Sequence, residues 1–200
     1  MEIFYLKKSE FLKSINRESL EYFSDGREYS SEEKYFEHLC GLFLVNFIAK
    51  SVYEIDNIEI ERVGKKPFLK GRELFFSISH SKDIIAVAFN NSNVGFDIEF
   101  IQNRPNFEAI MERFGKKVDN PTLEDFYKFW TFYEAEYKLD TEVKSVFSSK
   151  IENDYMLTCV SEDPLVSTFV VKKMVLDGEN INLQNEFEVL DKCQFILSVE

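Results

Sequence analysis

Two acidic residues in one predicted strand are the first feature of this chain that could do chemistry. Asp97 and Glu99 flank a single isoleucine in the segment 94–100. Residues two apart in a strand point to the same face, so both carboxylates face the same way. Mg²⁺ binds a few carboxylates and takes its remaining ligands from water and phosphate oxygens. The pair therefore indicates a magnesium site that could also hold a polyphosphate.

A predicted helix supplies a third carboxylate and a cation. Glu134 and Lys138 are four residues apart, which places them on the same face of a helix. Trp130 lies one turn earlier and is expected to anchor this helix in the core. Glu136 belongs to another face, and we expect it to point to solvent. The metal ligands predicted from both elements are Asp97, Glu99 and Glu134.

The apolar pattern predicts the elements that position these side chains. In the first half it predicts strands at 2–7, 58–63, 74–79, 84–90 and 94–100, helices at 9–23 and about 31–53, and a basic loop at 64–71. In the second half it predicts helices at 105–114 and 121–139 and strands at 155–160, 167–171, 187–190 and 195–199. Helices followed by strands occur twice. This order favours an α+β fold of two similar lobes, 1–95 and 96–200, in a pseudo-two-fold arrangement with the active site in the cleft between them.

Composition and charge exclude several classes of function. The chain has 200 residues, 44% of them hydrophobic, which is ample for a core. Its net charge of −12 argues against non-specific binding to nucleic acid or to an anionic membrane. The longest apolar run, 42–49, is too short to cross a bilayer. The three cysteines form no CxxC pair, and no signal-peptide pattern precedes the first strand, so we expect a cytoplasmic protein.

Two further short segments complete a series of four motifs around the acidic residues. In chain order the motifs are 66–69 (KPFL), 76–81 (FSISHS), 94–99 (VGFDIE) and 130–138 (WTFYEAEYK). Together they resemble the motifs of the 4′-phosphopantetheinyl transferases, in particular the surfactin-synthetase-activating type built as two similar lobes in one chain. Each motif alone is weak, and the four in the right order are more specific. The regions on either side, about half of the chain, match only in their pattern of helices and strands.

The resemblance implies a reaction and a set of site residues. Members of this family move the phosphopantetheine arm of coenzyme A to a serine of an apo carrier protein and release adenosine 3′,5′-bisphosphate. The resemblance implies that Asp97, Glu99 and Glu134 hold the Mg²⁺ that bridges the pyrophosphate. The residues it implies for coenzyme A are Lys66, Ser79, His80 and Lys138. Those it implies for catalysis are Glu134, Lys138 and, from its position after Arg113, Asp119.

The same resemblance implies the partners. We expect coenzyme A as co-substrate, an apo acyl or peptidyl carrier protein as acceptor, no nucleic acid and no membrane. Single-chain members carry both lobes, so we expect a monomer. Attack on a phosphoryl group depends mainly on positioned charge neutralisation, which the acidic and basic residues above could supply.

The chain departs from the family pattern in places that bear on coenzyme A binding. Tyr133 stands where the family has a lysine, and 140–144 (DTEVK) replaces a glycine-rich stretch. The long helix near the N-terminus reads FEHL at 36–39, where the family usually has a basic residue. Four cations in or beside the predicted basic loop are candidates for the missing charge: Lys65, Lys66, Lys70 and Arg72.

These departures leave two other functions open. One is an impaired relative that binds coenzyme A or a carrier protein without efficient transfer. The other is a metal-dependent nuclease, because carboxylate sets also hold two-metal sites, although the net charge of −12 disfavours it. Each residue also has a simpler role. His80 could be a structural histidine, the basic loop could be merely solvated, and Glu134 and Lys138 could form a surface ion pair.

Overall fold

A computed structural model describes residues 1–64, 66–71, 74–177, 180–183 and 188–189. Helices and strands are mixed in this part of the chain, which confirms the predicted α+β class. The strands are β1 Glu2–Lys7, β2 Ile60–Val63, β3 Lys66–Leu69, β4 Phe75–Ser81, β5 Ile84–Asn90, β6 Val94–Phe100, β7 Ser145–Ile151, β8 Tyr155–Ser161, β9 Val170–Asp177, β10 Asn180–Leu183 and β11 Glu188–Val189. The helices are α1 Lys8–Ser14, α2 Arg17–Leu20, α3 Glu32–Ser51, α4 Phe107–Arg113 and α5 Leu123–Leu139, and a 3₁₀ turn spans Glu21–Phe23.

A six-stranded sheet in the order β10-β9-β1-β5-β4, with β11 also paired to β9, forms the larger layer. Strand β1 is antiparallel to β5 and parallel to β9, so the first strand of the chain lies beside a strand from its last third. Strand β5 reads IIAVAFN and is buried at nearly every position. Its alternate residues enter two different cores, because both faces of this sheet are covered.

Helix α3 covers one face of the six-stranded sheet. Leu39, Leu44 and Ile48 pack with Ile85 and Val87 of β5 in one core. The helix begins as predicted, since the side chain of its N-cap residue Ser31 accepts a bond from the backbone N–H of the third helical residue at 3.3 Å. Cys40 of this helix and Cys159 of β8 are buried thiols.

A three-stranded antiparallel sheet in the order β6-β8-β7 lies on the opposite face. Phe96 and Leu157 from this sheet share a core with Ile3 and Ala86 from the six-stranded sheet. Helix α5 packs on the three-stranded sheet through Ala135, Leu139 and Phe126, with α4 beside it. The two sheets and the helices on their outer faces therefore position β4 and β6 side by side.

Two sequence expectations about these elements are wrong and one strand was not predicted, each for a local physical reason. The predicted helix 9–23 is interrupted because the side chain of Asn16 captures the N–H of Glu18 at 3.1 Å and caps a new helix. The predicted loop 64–71 contains β3, which pairs with β2 in a two-stranded sheet, where Pro67 is tolerated. Strand β7 was not predicted, because Ser148 is polar and interrupts the apolar alternation in the sequence. In the structure its hydroxyl is buried and bonds the Thr158 hydroxyl at 2.7 Å.

Some expectations lie outside the described residues. They include the strand at 195–199, residues 187 and 190 of the strand at 187–190, and the residues Lys65 and Arg72. The division into lobes at residue 95 stays a prediction. In the part of the chain that the structure describes, no helix is both long and apolar enough to cross a membrane.

Candidate functional site

The candidate site lies where β4 and β6 meet, and serine hydroxyls join these two strands. Strand edges carry backbone N–H groups that need acceptors, and every second residue of β4 from Ser77 to Ser81 is a serine. The backbone N–H groups of Phe96, Ile98 and Phe100 donate to the hydroxyls of Ser77, Ser79 and Ser81, at 3.1, 3.4 and 3.0 Å. We call these three serines the serine ladder. The serine hydroxyls of β4 thus take the place of backbone carbonyls as acceptors for β6, and the two strands run parallel.

The serine ladder also fixes the two carboxylates predicted from β6. The Ser79 hydroxyl donates to Asp97 Oδ1 at 2.7 Å, and the Ser81 hydroxyl donates to Glu99 Oε2 at 2.8 Å. Each of these hydroxyls therefore accepts from the β6 backbone and donates to a β6 side chain. Ser79 was predicted to contact coenzyme A, and the structure places it as a positioning partner of Asp97.

Lys138 of α5 completes this hydrogen-bonded group. Its Nζ lies 2.8 Å from Asp97 Oδ1 and 3.1 Å from the Ser79 hydroxyl. The same amino group donates to the backbone oxygens of Phe96 at 3.1 Å and Ile78 at 3.4 Å. Lys138 thus connects the helix to both strands and offsets the charge of Asp97.

Gly95 allows α5 to approach β6 closely enough for these contacts. A Cβ atom at Gly95 would lie 2.0 Å from the Ala135 carbonyl oxygen and 2.7 Å from the Leu139 backbone nitrogen. The helix turn that carries Glu134 and Lys138 therefore lies directly on the β6 backbone. The start of α5 is fixed separately by a capping box between Thr122 and Asp125.

A pocket of about 720 Å³ opens at this junction. Six residues predicted from the sequence as site residues line it: Lys66, Ser79, His80, Asp97, Glu134 and Lys138. Glu99 and Asp119 are not among the described lining residues, and Asp119 is exposed. Glu136 is exposed, as expected for the solvent face of α5. The sequence therefore identified side chains from β3, β4, β6 and α5 that share one pocket.

The acidic part of the pocket fits a divalent cation. Asp97 is 5% exposed, and its Oδ2 is the one buried side-chain oxygen or nitrogen without a hydrogen-bond partner in the described residues. Burial raises the pKa of Glu134, and the charge of Asp97 raises it further, while Lys138 opposes both effects. A bound cation would satisfy the free oxygen and relieve the repulsion between these carboxylates.

The predicted set of three carboxylates stays a prediction. Among the described residues, no group of three or more acidic, histidine or cysteine side chains is close enough together to hold a metal ion. Glu99 is held by Ser81, and its pKa is raised by burial and by Asp97. Asp97 and Glu134 fit Mg²⁺ as a pair, because this ion is usually held by one or two carboxylates plus water and phosphate.

Basic residues that the sequence did not identify also line the pocket. Asp25 accepts a bond from Arg62 Nε at 2.7 Å and lies 3.0 Å from His38 Nε2. The guanidinium of Arg27 lies 4.9 Å from the centre of the Tyr29 ring. Arg27, His38 and Arg62 all face the pocket, and the two arginines supply positive charge that the helix segment 36–39 does not, because burial lowers the pKa of His38. No sequence signal links them, because they come from a loop, a helix and a hairpin.

The candidates from the basic loop divide between the pocket and the surface. Lys66 lines the pocket, donates to the Val94 carbonyl at 2.7 Å and bonds the Asn93 side chain. Burial lowers the pKa of Lys66 to about 8. Lys70 is paired with Glu59 at the surface and is not among the pocket residues. Lys66 is therefore the described member of this loop that could meet an anionic ligand.

No protein-family model matches the chain, and no curated protein matches it. The resemblance to the phosphopantetheinyl transferases consequently depends on the four motifs and on the way their residues meet in the pocket.

Replacing Ser79 by alanine is expected to lower the free energy of unfolding by about 2 kcal/mol, because a buried hydroxyl with several partners is lost. It should also change any Mg²⁺ dependence of the protein, because Asp97 and Lys138 lose their shared partner. Ser77→Ala is the matched control, since the Ser77 hydroxyl accepts from the backbone N–H of Phe96 and has no acidic partner among the described residues. Thermal unfolding with and without Mg²⁺ checks both variants. If Mg²⁺ shifts the unfolding temperature of the two variants equally, Ser79 does not position Asp97 for the ion.

Proposed function

We propose that this protein is an Mg²⁺-dependent 4′-phosphopantetheinyl transferase that modifies a serine of an apo carrier protein. The supporting observation is that six residues assigned by the motifs line one pocket of about 720 Å³. This volume is within the range of about 300–1,000 Å³ typical of cofactor sites. The proposal includes the arrangement of two similar lobes around the site, a cytoplasmic location and a monomeric state.

The charges around the pocket support a ligand that carries several phosphates. The whole chain has a net charge of −12, yet the cations outnumber the carboxylates in this one pocket. Its lining has Arg27, Arg62, Lys66 and Lys138 against Asp97, Glu134 and Asp140. A local concentration of positive charge in an acidic protein attracts anions to that place and not to the rest of the surface. The pyrophosphate and the additional phosphate of coenzyme A match such a site.

The acidic residues supply the other half of the chemistry. Asp97 and Glu134 would hold Mg²⁺, with Glu99 as the further ligand that the resemblance implies. When bound, the ion neutralises charge on the pyrophosphate. The carrier serine oxygen would form the new bond to phosphorus while the bond to adenosine 3′,5′-bisphosphate breaks. The resemblance implies Glu134 as a catalytic residue, and a carboxylate beside the metal would take the serine proton. Lys138 would balance the charge beside Asp97, and the assignment of Asp119 stays a prediction.

One assay tests this proposal. The protein is incubated with coenzyme A, Mg²⁺ and apo carrier proteins from fatty acid, polyketide and peptide synthesis, and the carriers are examined by mass spectrometry. We expect the mass of the phosphopantetheine arm on a carrier serine, and no product when Mg²⁺ is chelated. Coenzyme A binding without transfer to any of the carriers would contradict the proposal.

Tyr133 favours a second candidate, the impaired relative that binds without efficient transfer. Where the family has a lysine, the Tyr133 ring packs 4.7 Å from Phe114 and 6.0 Å from Trp130. This position therefore contributes to an aromatic cluster and brings no charge. Tyr133→Lys should increase transfer if the substitution limits the wild-type protein, and the same mass assay measures the change.

Carrier recognition is expected to depend on cations near the end of α4. Carriers of this family are usually acidic around the target serine, and Phe114 packs against Trp130 and Tyr133, so this end of α4 adjoins the helix of Glu134. Reversing Lys116 and Lys117 to glutamate should raise the KM for the carrier about tenfold and leave that for coenzyme A nearly unchanged. The alternative is that these lysines merely complement the helix C-terminus.

A double reversal at Lys13 and Lys50 is the control for this variant. Both residues are exposed, lie on other helices, and give the same change in net charge. If it raises the KM for the carrier equally, net charge and not a docking patch controls the encounter. If the Lys116 and Lys117 reversal weakens coenzyme A instead, these residues belong to the nucleotide site.

A further inference from the structure

Glu37, a buried residue of α3, contacts the pocket residue His80. Glu37 Oε2 lies 3.3 Å from His80 Nδ1, and Glu37 Oε1 accepts a bond from Lys8 Nζ at 2.7 Å. The Glu37 side chain is 12% exposed, while the His80 side chain is 37% exposed and lines the pocket. Three elements therefore converge on this contact: α1 brings Lys8, α3 brings Glu37 and β4 brings His80.

This contact favours one of the two neutral forms of the His80 ring. The distance of 3.3 Å is that of an ion pair, and the negative charge of the Glu37 carboxylate favours a hydrogen over a lone pair on the nitrogen that faces it, Nδ1. In the neutral ring Nε2 then holds a lone pair. Because Nδ1 is directed at α3, Nε2 is the polar atom that His80 can offer to a ligand in the pocket.

The surrounding groups keep His80 neutral before a ligand binds. Burial has the largest effect and lowers the pKa of His80. Four charged groups act on the ring: Glu37 of α3 and Asp97 of β6 raise its pKa, while Lys138 of α5 and Lys8 of α1 lower it. A neutral Nε2 would point a lone pair at a phosphate oxygen, which is repulsive, so it can contact phosphate only after gaining a proton.

We propose that Glu37 is a positioning residue for His80, and that a phosphate group binds in this pocket together with one proton taken up from solvent at His80 Nε2. The imidazolium then lies between the Glu37 carboxylate and the phosphate and donates a hydrogen bond to each. Coenzyme A as the phosphate ligand rests on the proposed function, whereas the orientation of the ring does not. The affinity should fall as the pH rises through the His80 pKa of the complex.

Nitrogen-detected NMR of the histidine rings tests the inference directly. The chain has 2 histidines, His38 and His80, and His80→Gln assigns their signals. In the free protein we expect neutral His80 with its hydrogen on Nδ1. Saturation with coenzyme A should raise its pKa by about one unit or more. Calorimetry in buffers of different ionisation enthalpy should then record about half a proton or more taken up per complex, at a pH between the two pKa values.

Two variants of Glu37 separate its charge from its role as an acceptor. Glu37→Gln keeps an oxygen for Nδ1–H, so the tautomer should persist while coenzyme A binds about tenfold more weakly at neutral pH. Glu37→Met should lose the tautomer preference as well. Glu33→Gln is the matched control one turn earlier, since its side chain is 79% exposed and lies 4.0 Å from Lys8. We expect it to change neither the tautomer nor the affinity.

Inorganic pyrophosphate separates this inference from the proposed function. If coenzyme A does not bind but pyrophosphate binds with proton uptake at His80, the transferase proposal fails and the inference stands. The inference is overturned if His80 carries its hydrogen on Nε2, if Glu37→Gln leaves the affinity and its pH dependence unchanged, or if neither ligand protonates His80.

Discussion

Asp97→Asn is expected to lower the rate of phosphopantetheine transfer about a thousandfold or more while leaving the fold intact. The substitution keeps an oxygen that can accept from Ser79 and Lys138, but it removes the charge and the free Oδ2 that fit a cation. Lys138 keeps its bonds to the backbone oxygens of β4 and β6, so the free energy of unfolding should change by about 1 kcal/mol. Transfer kinetics across a Mg²⁺ titration and thermal unfolding measure the two effects.

Glu136→Gln is the control for this variant, because Glu136 lies on the same helix as Glu134 but is exposed. Its effect on the free energy of unfolding should stay within about 0.5 kcal/mol, and transfer should be unchanged. Full activity in the Asp97 variant, or greater damage from the Glu136 variant, would show that the motifs have been placed on the wrong residues.

Local periodicity explains why part of this site could be predicted from the sequence. The two-residue repeat of a strand put Asp97 and Glu99 on one face of β6. The four-residue spacing put Glu134 and Lys138 on one face of α5. These relations hold wherever the strand and helix form, whatever the tertiary structure. The resemblance supplied what periodicity could not, namely that Asp97 and Glu134 belong to one site, and both line the same pocket.

Contacts between distant segments explain what the sequence did not reveal. Arg27 reaches the pocket from the loop before α3 and Arg62 from the β2–β3 hairpin, and Asp25 binds Arg62 there. Nothing in the spacing of these residues indicates a shared site. The serine ladder could not be predicted either. Alternating serines in a strand usually indicate a solvated face, but here they accept from the backbone of a strand in another sheet.

Gly95→Ala is expected to be the most damaging single-methyl change in the described chain. The added Cβ would lie 2.0 Å from the backbone oxygen of Ala135, and backbone cannot move aside as a side-chain tip can. Relief requires α5 to shift away from β6, so the free energy of unfolding should fall by about 3 kcal/mol. A displacement of about 1 Å would also break the 2.8 Å contact between Lys138 and Asp97 and cost about a hundredfold in transfer rate.

Gly41→Ala separates this steric effect from the general cost of replacing a glycine. Gly41 lies inside α3, and its added Cβ would lie 2.6 Å from Ile78 Cγ2, a side-chain atom. Alanine also favours a helix interior by about 1 kcal/mol, so the net loss of stability should be about 1 kcal/mol or less. Chemical unfolding of both variants gives the two free energies, and transfer is measured where both are folded. Equal losses in the two variants would mean that α5 does not depend on a bare backbone at Gly95, and the close contact that brings Lys138 to Asp97 would need another cause.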